Sequence, residues 1–297
     1  MARGDHAAER QRELCEALMR QVGYDFDCGR LDTTPHPFAL PGVPGDTRIT
    51  TRFKEDDLRF AIMATLHETG HSFYEYNLPR RWSYQPVGQA RGATMHESQS
   101  LMLEMTACRS TEFLRFLAPE VARCFGDHPA YAAENFRQHH QRIHRNFIRI
   151  EADEVVYPLH VILRYQLERA MLDGALAVKD LPDAWNAKMQ ALIGATPPTD
   201  TLGCLQDVHW SFGMFGYFPN YAMGAATAAQ LFAAATQTDP TILPALAQGD
   251  FRPYYAWVKP NVHEKASSRS LGQIIEDATG APLTADALLN HLRRRYL

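Results

Sequence analysis

The sequence predicts a mainly α fold: a single helical domain with a small β element beside a helix that carries a His-Glu-x-x-His motif. Three observations lead there. Apolar residues recur with helical spacing along most of the 297 residues. Glycine or proline punctuates the ends of the periodic stretches. A single segment alternates with the period-two pattern of a half-buried strand.

From the N-terminus, residues 6–22 read as an amphipathic helix ending at Gly23, and 24–45 as a loop rich in proline and glycine. Thr47 to Phe53 alternates β-branched or aromatic with polar residues and is the strand. From Asp56 to Asn77 the pattern is helical again, with Asp56 or Asp57 as cap and Leu58, Ile62, Leu66 and Phe73 on one face. A second helix is expected over 94–117, stopped by Pro119. Two long polar-faced helices over 129–150 and 154–172 come next, the latter closed by Asp173 and Gly174. A shorter helix covers 182–193, residues 194–217 are loop, and 218–235 is a helix of small residues. Helices over 270–278 and 284–296 end the chain. The domain then spans 1–297, with an N-terminal helix (1–23), a motif-bearing core (24–235) and C-terminal helices (236–297).

Composition narrows the function. With 45% apolar and 22% charged residues, the chain has the balance of a soluble globular protein, which excludes a disordered chain, a fibre and a coiled-coil rod. A net charge of −4 gives no electrostatic basis for a nucleic-acid partner. The longest apolar stretch, Tyr221 to Ala235, is too short for a bilayer and carries Gln230, so no membrane partner is expected. The N-terminus is charged throughout, unlike a signal peptide. Five widely spread cysteines without a C-x-x-C fit small core residues in a reduced, cytoplasmic protein.

Histidine carries the chemistry. His67-Glu-Thr-Gly-His71 places two imidazoles four residues apart on one helical face, where both can hold one metal ion. Glu68 lies on the adjoining edge, within reach of a metal-bound water and not of the metal. Chance would produce this motif on the order of 0.03 times in such a chain, so two histidines on a half-buried helix with a solvated Glu between them are the weaker alternative. A third ligand has to come from a neighbouring element. Glu97, in His96-Glu97-Ser98-Gln99-Ser100, is the candidate from an antiparallel helix; a first-turn Glu serving the helix dipole is an equal alternative.

The pair HETGH and HESQS resembles the carboxypeptidase Taq family of metallocarboxypeptidases. His36-Pro-Phe38, Asp46-Thr-Arg48-Ile-Thr50, Ile148-Arg149-Ile-Glu-Ala152-Asp153 and Gly203-Cys-Leu-Gln206-Asp207-Val-His209-Trp210 match the family's remaining motifs in order. The stretch from Phe215 to Tyr221 fits the Gly/Tyr-rich segment that the family carries after its last motif. The resemblance covers the C-terminal three-fifths of the family's chains and leaves out an N-terminal helical region that walls one side of the groove. It implies an all-helical, gluzincin-like fold with a small sheet beside the metal. It also implies a homodimer, removal of C-terminal amino acids from peptide substrates with a free C-terminus, and Glu97 as third ligand.

Other roles combine the resemblance with chemistry. Arg149 stands at the family's position for the substrate carboxylate, a role that suits a planar guanidinium; the alternative is an internal pair with Asp153. His209 and Tyr221 are the expected donors to the oxyanion, with Tyr217 as substitute and substrate contact. Asp207 either orients a ligand imidazole or caps a turn. Asp46 and Arg48 are expected in an internal salt bridge, His36 is open between structural and functional use, and His139, His140 and His144 are expected on a solvated helix face. One divalent metal, zinc by its ligand set, is the cofactor, and cobalt or manganese can serve by resemblance. Two other readings stand beside this one: an oligo-endopeptidase or aminopeptidase on a related scaffold, and a non-catalytic metal-binding fragment.

Overall fold

The computed structural model of the protein describes residues 6–41 and 45–297. They group into two compact units, one made of the chain up to Gln141 together with Gly224–His291, the other of Arg142–Met223 and Leu292–Leu297.

In the first unit, helix α1 (Ala8–Val22) buries Leu14, Cys15, Leu18, Met19 and Val22 and ends at Gly23. Gly23 adopts a φ of 107° and returns its N–H to Met19 and Arg20, as the sequence anticipates. The segment expected as loop holds two strands. β1 (Gly29–Thr33), β2 (Phe38–Pro41) and β3 (Thr47–Thr51) form one sheet in the order β1-β3-β2, with β1 parallel and β2 antiparallel to β3. β1 (GRLDT) has one β-branched residue and β2 (FALP) none, against four in β3 (TRITT), and their pairing to β3 makes them strands. Residues 42–44 of the expected loop lie outside the described residues. Ile49 and Leu31 join Cys15, Met19, Tyr24 and Ala61 in a core beneath the sheet. Arg48 and Asp46 do pair, at 2.9 Å, but on the surface, so the expected internal salt bridge is an exposed one that solvent screens.

Helix α2 (Leu58–Tyr76) is capped by Asp57, whose side chain accepts from Phe60 N–H; it buries Leu58, Ile62 and Leu66 and meets the sheet through Ala61, packed with Leu31 and Ile49, and Thr65, whose hydroxyl donates to Thr51. Next comes α3 (Gly92–Leu101), which runs into a π-helical turn over Met102–Ala107, where Cys108 N–H reaches the Leu103 carbonyl. The helix expected over 94–117 is thus two. Ser110 caps a new one, α4 (Thr111–Phe125), which continues through Pro119. Burial of Phe113, Leu114, Leu117, Ala118 and Val121 outweighs the hydrogen bond that Pro119 removes. Helix α5 (Ala133–His140) stops well short of the expected residue 150.

The second unit begins there. Asp153 accepts from His144, Val155 and Val156 N–H, and Arg149 N–H donates to the Gln206 side chain; these bonds keep 142–156 out of an α-helix, with one 3₁₀ turn over Arg149–Glu151. α6 (Tyr157–Leu172) and α7 (Leu181–Leu192) pack through Leu163, Leu167, Trp185 and Met189. α8 (Pro219–Thr238) leads back to the first unit, where α9 (Ile242–Leu246) and α10 (Arg252–Asn261) were not anticipated, their periodicity being cut by Gly249, Pro253 and Pro260. α11 (Leu271–Thr279), with its Ser270–Gln273 capping box, and α12 (Asp286–Tyr296) match expectation. No helix of the described residues is long and apolar enough to cross a membrane.

Candidate metal centre and substrate site

His67 and His71 project from one face of α2, their ring centroids 5.0 Å apart. The glycine between them sets the site's third side. A Cβ on Gly70 would lie 2.6 Å from Ser100 Cα and 2.7 Å from the Gln99 carbonyl, so only glycine lets α3 approach this closely. That approach carries Glu97 to the pair: its Oε2 is 3.5 Å from His71 Nε2 and 3.9 Å from His67 Nε2. Gly224 of α8 makes room on the far side, where a Cβ would meet Glu97 Cγ at 3.0 Å. Among the described residues, this trio is the group whose donor atoms converge, all within 4.8 Å of one another. Ligand atoms ~2.1 Å from a tetrahedral ion stand ~3.4 Å apart, close to the separations found. The donor set fits a divalent ion.

Both Nε2 atoms are free to face Glu97 because both Nδ1 atoms are held from behind. His67 Nδ1 donates to Glu104 Oε2 at 3.1 Å, and Arg109 grips the other Glu104 oxygen. His71 Nδ1 lies 2.6 Å from His96 Nδ1, and His96 Nε2 lies 2.8 Å from Glu75 Oε1. Sequence reasoning missed Glu104, Arg109 and Glu75. The Glu104 carboxylate reaches His67 from the π-helical turn, a local register that residue spacing does not announce. Glu75 stands four residues beyond His71 and was legible in principle.

Burial favours neutral imidazole at both histidines and pushes His71 down. At His67, the carboxylates of Glu97, Glu104 and Glu68 together outweigh burial and raise the pKa. Glu68 is buried on the adjoining edge of α2 and accepts from the Ala39 N–H of β2. Burial lifts its carboxyl to about 7, with His67 opposing and Glu97 adding to the rise. A bound dication would lower both His67 and Glu68.

The second unit collects the other expected residues. Arg149 is buried, and its Nε and Nη2 donate to Asp207 Oδ1 at 3.1 and 2.9 Å. Arg164, fully buried, donates to Asp207 Oδ2 at 2.6 Å. Two guanidiniums therefore share one carboxylate, leaving one positive charge in excess in a desolvated place. Burial opposes both charges; at Arg149 the Asp207 carboxylate outweighs it, while Arg164 falls to about 10 and stays protonated at neutral pH. Tyr221 lies under the Arg149 guanidinium at 4.3 Å, and its hydroxyl is 2.8 Å from His209 Nε2. Tyr217 stacks near both, 5.4 Å from His209 and 5.5 Å from Tyr221. Arg149, His209, Tyr217 and Tyr221 thus form one cluster. Asp207 pairs with the two arginines, correcting both roles weighed for it, and Asp153 accepts backbone N–H groups of Val155 and Val156, just ahead of α6, in place of pairing with Arg149.

His36 is exposed between β1 and β2. The expected histidine face does not form. His140 is buried with Nδ1 on the Phe136 carbonyl, and His144 lies beyond the end of α5. The cysteines are free, with Cys15, Cys108 and Cys204 buried.

Comparison with known proteins agrees with these features. A family model described as "Carboxypeptidase Taq (M32) metallopeptidase" matches residues 1–296. "Carboxypeptidase 1" of Bacillus subtilis is 40% identical over 292 residues, covering 97% of this chain and 58% of that protein. "Thermostable carboxypeptidase 1" of Thermus thermophilus is 38% identical over 291 residues, covering 98% of this chain and 57% of that protein. The solved structure of metallocarboxypeptidase 1 of Trypanosoma cruzi superposes with a TM-score of 0.96 at 40% identity, covering 100% of this chain and 62% of that one. The chain thus spans less than two thirds of the length of these relatives.

Proposed function

The chain belongs to the carboxypeptidase Taq (M32) metallopeptidase family, and we propose on that footing that it is a metal-dependent carboxypeptidase that removes C-terminal amino acids from peptides. The observation that carries the proposal is the convergence of His67, His71 and Glu97, with Glu68 buried at their edge. Residues 1–297 act as one catalytic domain in this proposal. His67, His71 and Glu97 hold the ion, zinc by their donor chemistry, with cobalt or manganese able to replace it. When bound, the ion supplies a Lewis acid that polarises the scissile carbonyl and acidifies water.

Glu68 takes the proton of the attacking water and returns it to the leaving amine. Its carboxyl is buried at the edge of the trio, placed to move a proton in both directions. Arg149 binds the terminal carboxylate. It uses Nε and Nη2 on Asp207, so its Nη1–Nη2 edge remains for a bidentate pair, and the excess positive charge of the trio favours an anion. His209 and Tyr221 donate to the oxygen on which charge develops, and Tyr217 lines the substrate. A homodimer in the cytoplasm completes the proposal.

An N-blocked dipeptide with a free C-terminus tests it. Hydrolysis that a chelator abolishes and zinc restores is the expected result. Cleavage only of an amidated peptide, from its free N-terminus or internally, would mean an aminopeptidase or oligo-endopeptidase. Metal binding without turnover of any peptide would mean a non-catalytic protein.

A further inference from the structure

His96 and Glu75 have no part in the chemistry above, yet they sit directly behind His71. His96 stands on α3 immediately before Glu97, and Glu75 stands on α2 four residues after His71, on the same helical face. The same two helices that supply the candidate ligands are therefore braced a second time by this pair. The His96 ring lies 4.6 Å from that of His71, tilted by 37°, and Tyr74 borders it at 5.5 Å.

We infer that Glu75 and His96 are positioning residues that fix the tautomer and orientation of His71, so that its Nε2 lone pair faces the metal. The inference rests on the metal-site reading above. Two imidazole nitrogens 2.6 Å apart require a single proton between them. If His71 Nε2 is to offer a lone pair, the proton belongs to His71 Nδ1, and His96 Nδ1 is the acceptor. The neutral His96 ring then carries its own proton on Nε2, which donates to Glu75 Oε1 at 2.8 Å. A carboxylate only accepts, so it selects this polarity along the chain. The reverse order in neutral rings would put a proton on His71 Nε2, blocking the metal, and turn a bare His96 nitrogen toward the carboxylate.

The two candidate histidine ligands are thus supported differently. His67 meets a carboxylate directly, one clamped by Arg109 in the interior. His71 meets its carboxylate at one remove, through a second imidazole, and Glu75 is partly open to solvent with 24% of its side chain exposed. His67 receives the full pull of a buried anion on its Nδ1–H. His71 receives orientation above all, because a neutral imidazole transmits only part of the carboxylate's charge.

The experiment measures zinc affinity of the full chain by chelator competition, alongside thermal unfolding, for wild type, His67→Ala, His96→Leu, His96→Asn and Glu75→Ala. One zinc bound by wild type and lost in His67→Ala establishes the metal site first; failure there strikes the metal reading and not the relay. His96→Leu removes the acceptor and should weaken zinc binding by roughly 10- to 100-fold. His96→Asn presents a side-chain oxygen near the position of the lost Nδ1 and should recover affinity to within about threefold. Glu75→Ala should fall between them. An affinity of folded His96→Leu equal to wild type, or a folded His96→Asn as weak as His96→Leu, would overturn the inference. Should His96→Leu fail to fold, Glu75→Ala decides: weakened zinc binding supports the relay, and unchanged binding refutes it.

Discussion

Gly70 and Ser100 approach so closely that a Cβ on Gly70 would stand 2.6 Å from Ser100 Cα. The contact places α3 against α2 at the turn where His67 and His71 project, and Glu97 reaches them because of it. A helix interior ordinarily disfavours glycine by about 0.5–1 kcal/mol relative to alanine, so geometry here prevails over propensity.

Gly70→Ala should therefore destabilise the protein in spite of its better helix propensity. Overpacking costs typically 1–3 kcal/mol, and the backbone has no flexible side chain to yield. Denaturant unfolding should show a net loss of about 1–2 kcal/mol. Zinc competition should show affinity lowered at least tenfold as Glu97 moves off the histidine pair. Unchanged stability and affinity would mean that the helices separate without consequence.

Asp207 holds two buried guanidiniums, and removing its charge should be costly. Burial by itself would raise the Asp207 carboxyl, but Arg149 and Arg164 outweigh it and hold the pKa below the ordinary 3.8. A lowered carboxyl contributes stability that is present above that value and is lost as pH falls through the folded-state pKa. Asp207→Asn should thus cost about 3–5 kcal/mol at pH 7, with the difference from wild type shrinking below about pH 4. Unfolding curves at pH 7 and pH 3 check this; a deficit equal at both pH values would assign the effect to packing.

The sequence and structure part company at identifiable places. Helices with a strong apolar face and a terminal glycine, such as α1 with Gly23, were legible because local signals and burial agree. β1 and β2 were not, since with almost no β-branched residues they are strands only through pairing with β3. The helix expected over 129–150 fails because tertiary bonds from Asp153 and Gln206 claim the backbone of its second half. At the metal centre, His67, Glu68 and His71 stand out by spacing, whereas Glu97 needed the family resemblance to rise above a first-turn glutamate. Glu104 and the partners of Asp207 are products of tertiary packing, beyond any local pattern.

Arg149 gives the proposed exopeptidase its direction. Removal of a charge-assisted bidentate contact in a partly desolvated site costs roughly 2–4 kcal/mol. Arg149→Ala should lower kcat/KM by roughly 30- to 1000-fold for peptides with a free C-terminus, and Arg149→Lys should recover part of that. The fold should be followed in parallel, because Asp207 keeps Arg164 as a partner in either variant. Loss of activity that tracks loss of folded protein would assign Arg149 a structural role.

The proposed division of labour, with His67, His71 and Glu97 holding an ion and Glu68 moving the proton, is tested most directly by Glu68→Gln. Metal content and turnover of an N-blocked dipeptide should be measured on the same preparation. One zinc per chain, as in wild type, is expected, with kcat reduced by about 10²–10⁴-fold, the usual worth of a general base. Zinc lost from the variant would make Glu68 a ligand, and full turnover with zinc bound would remove it from the chemistry.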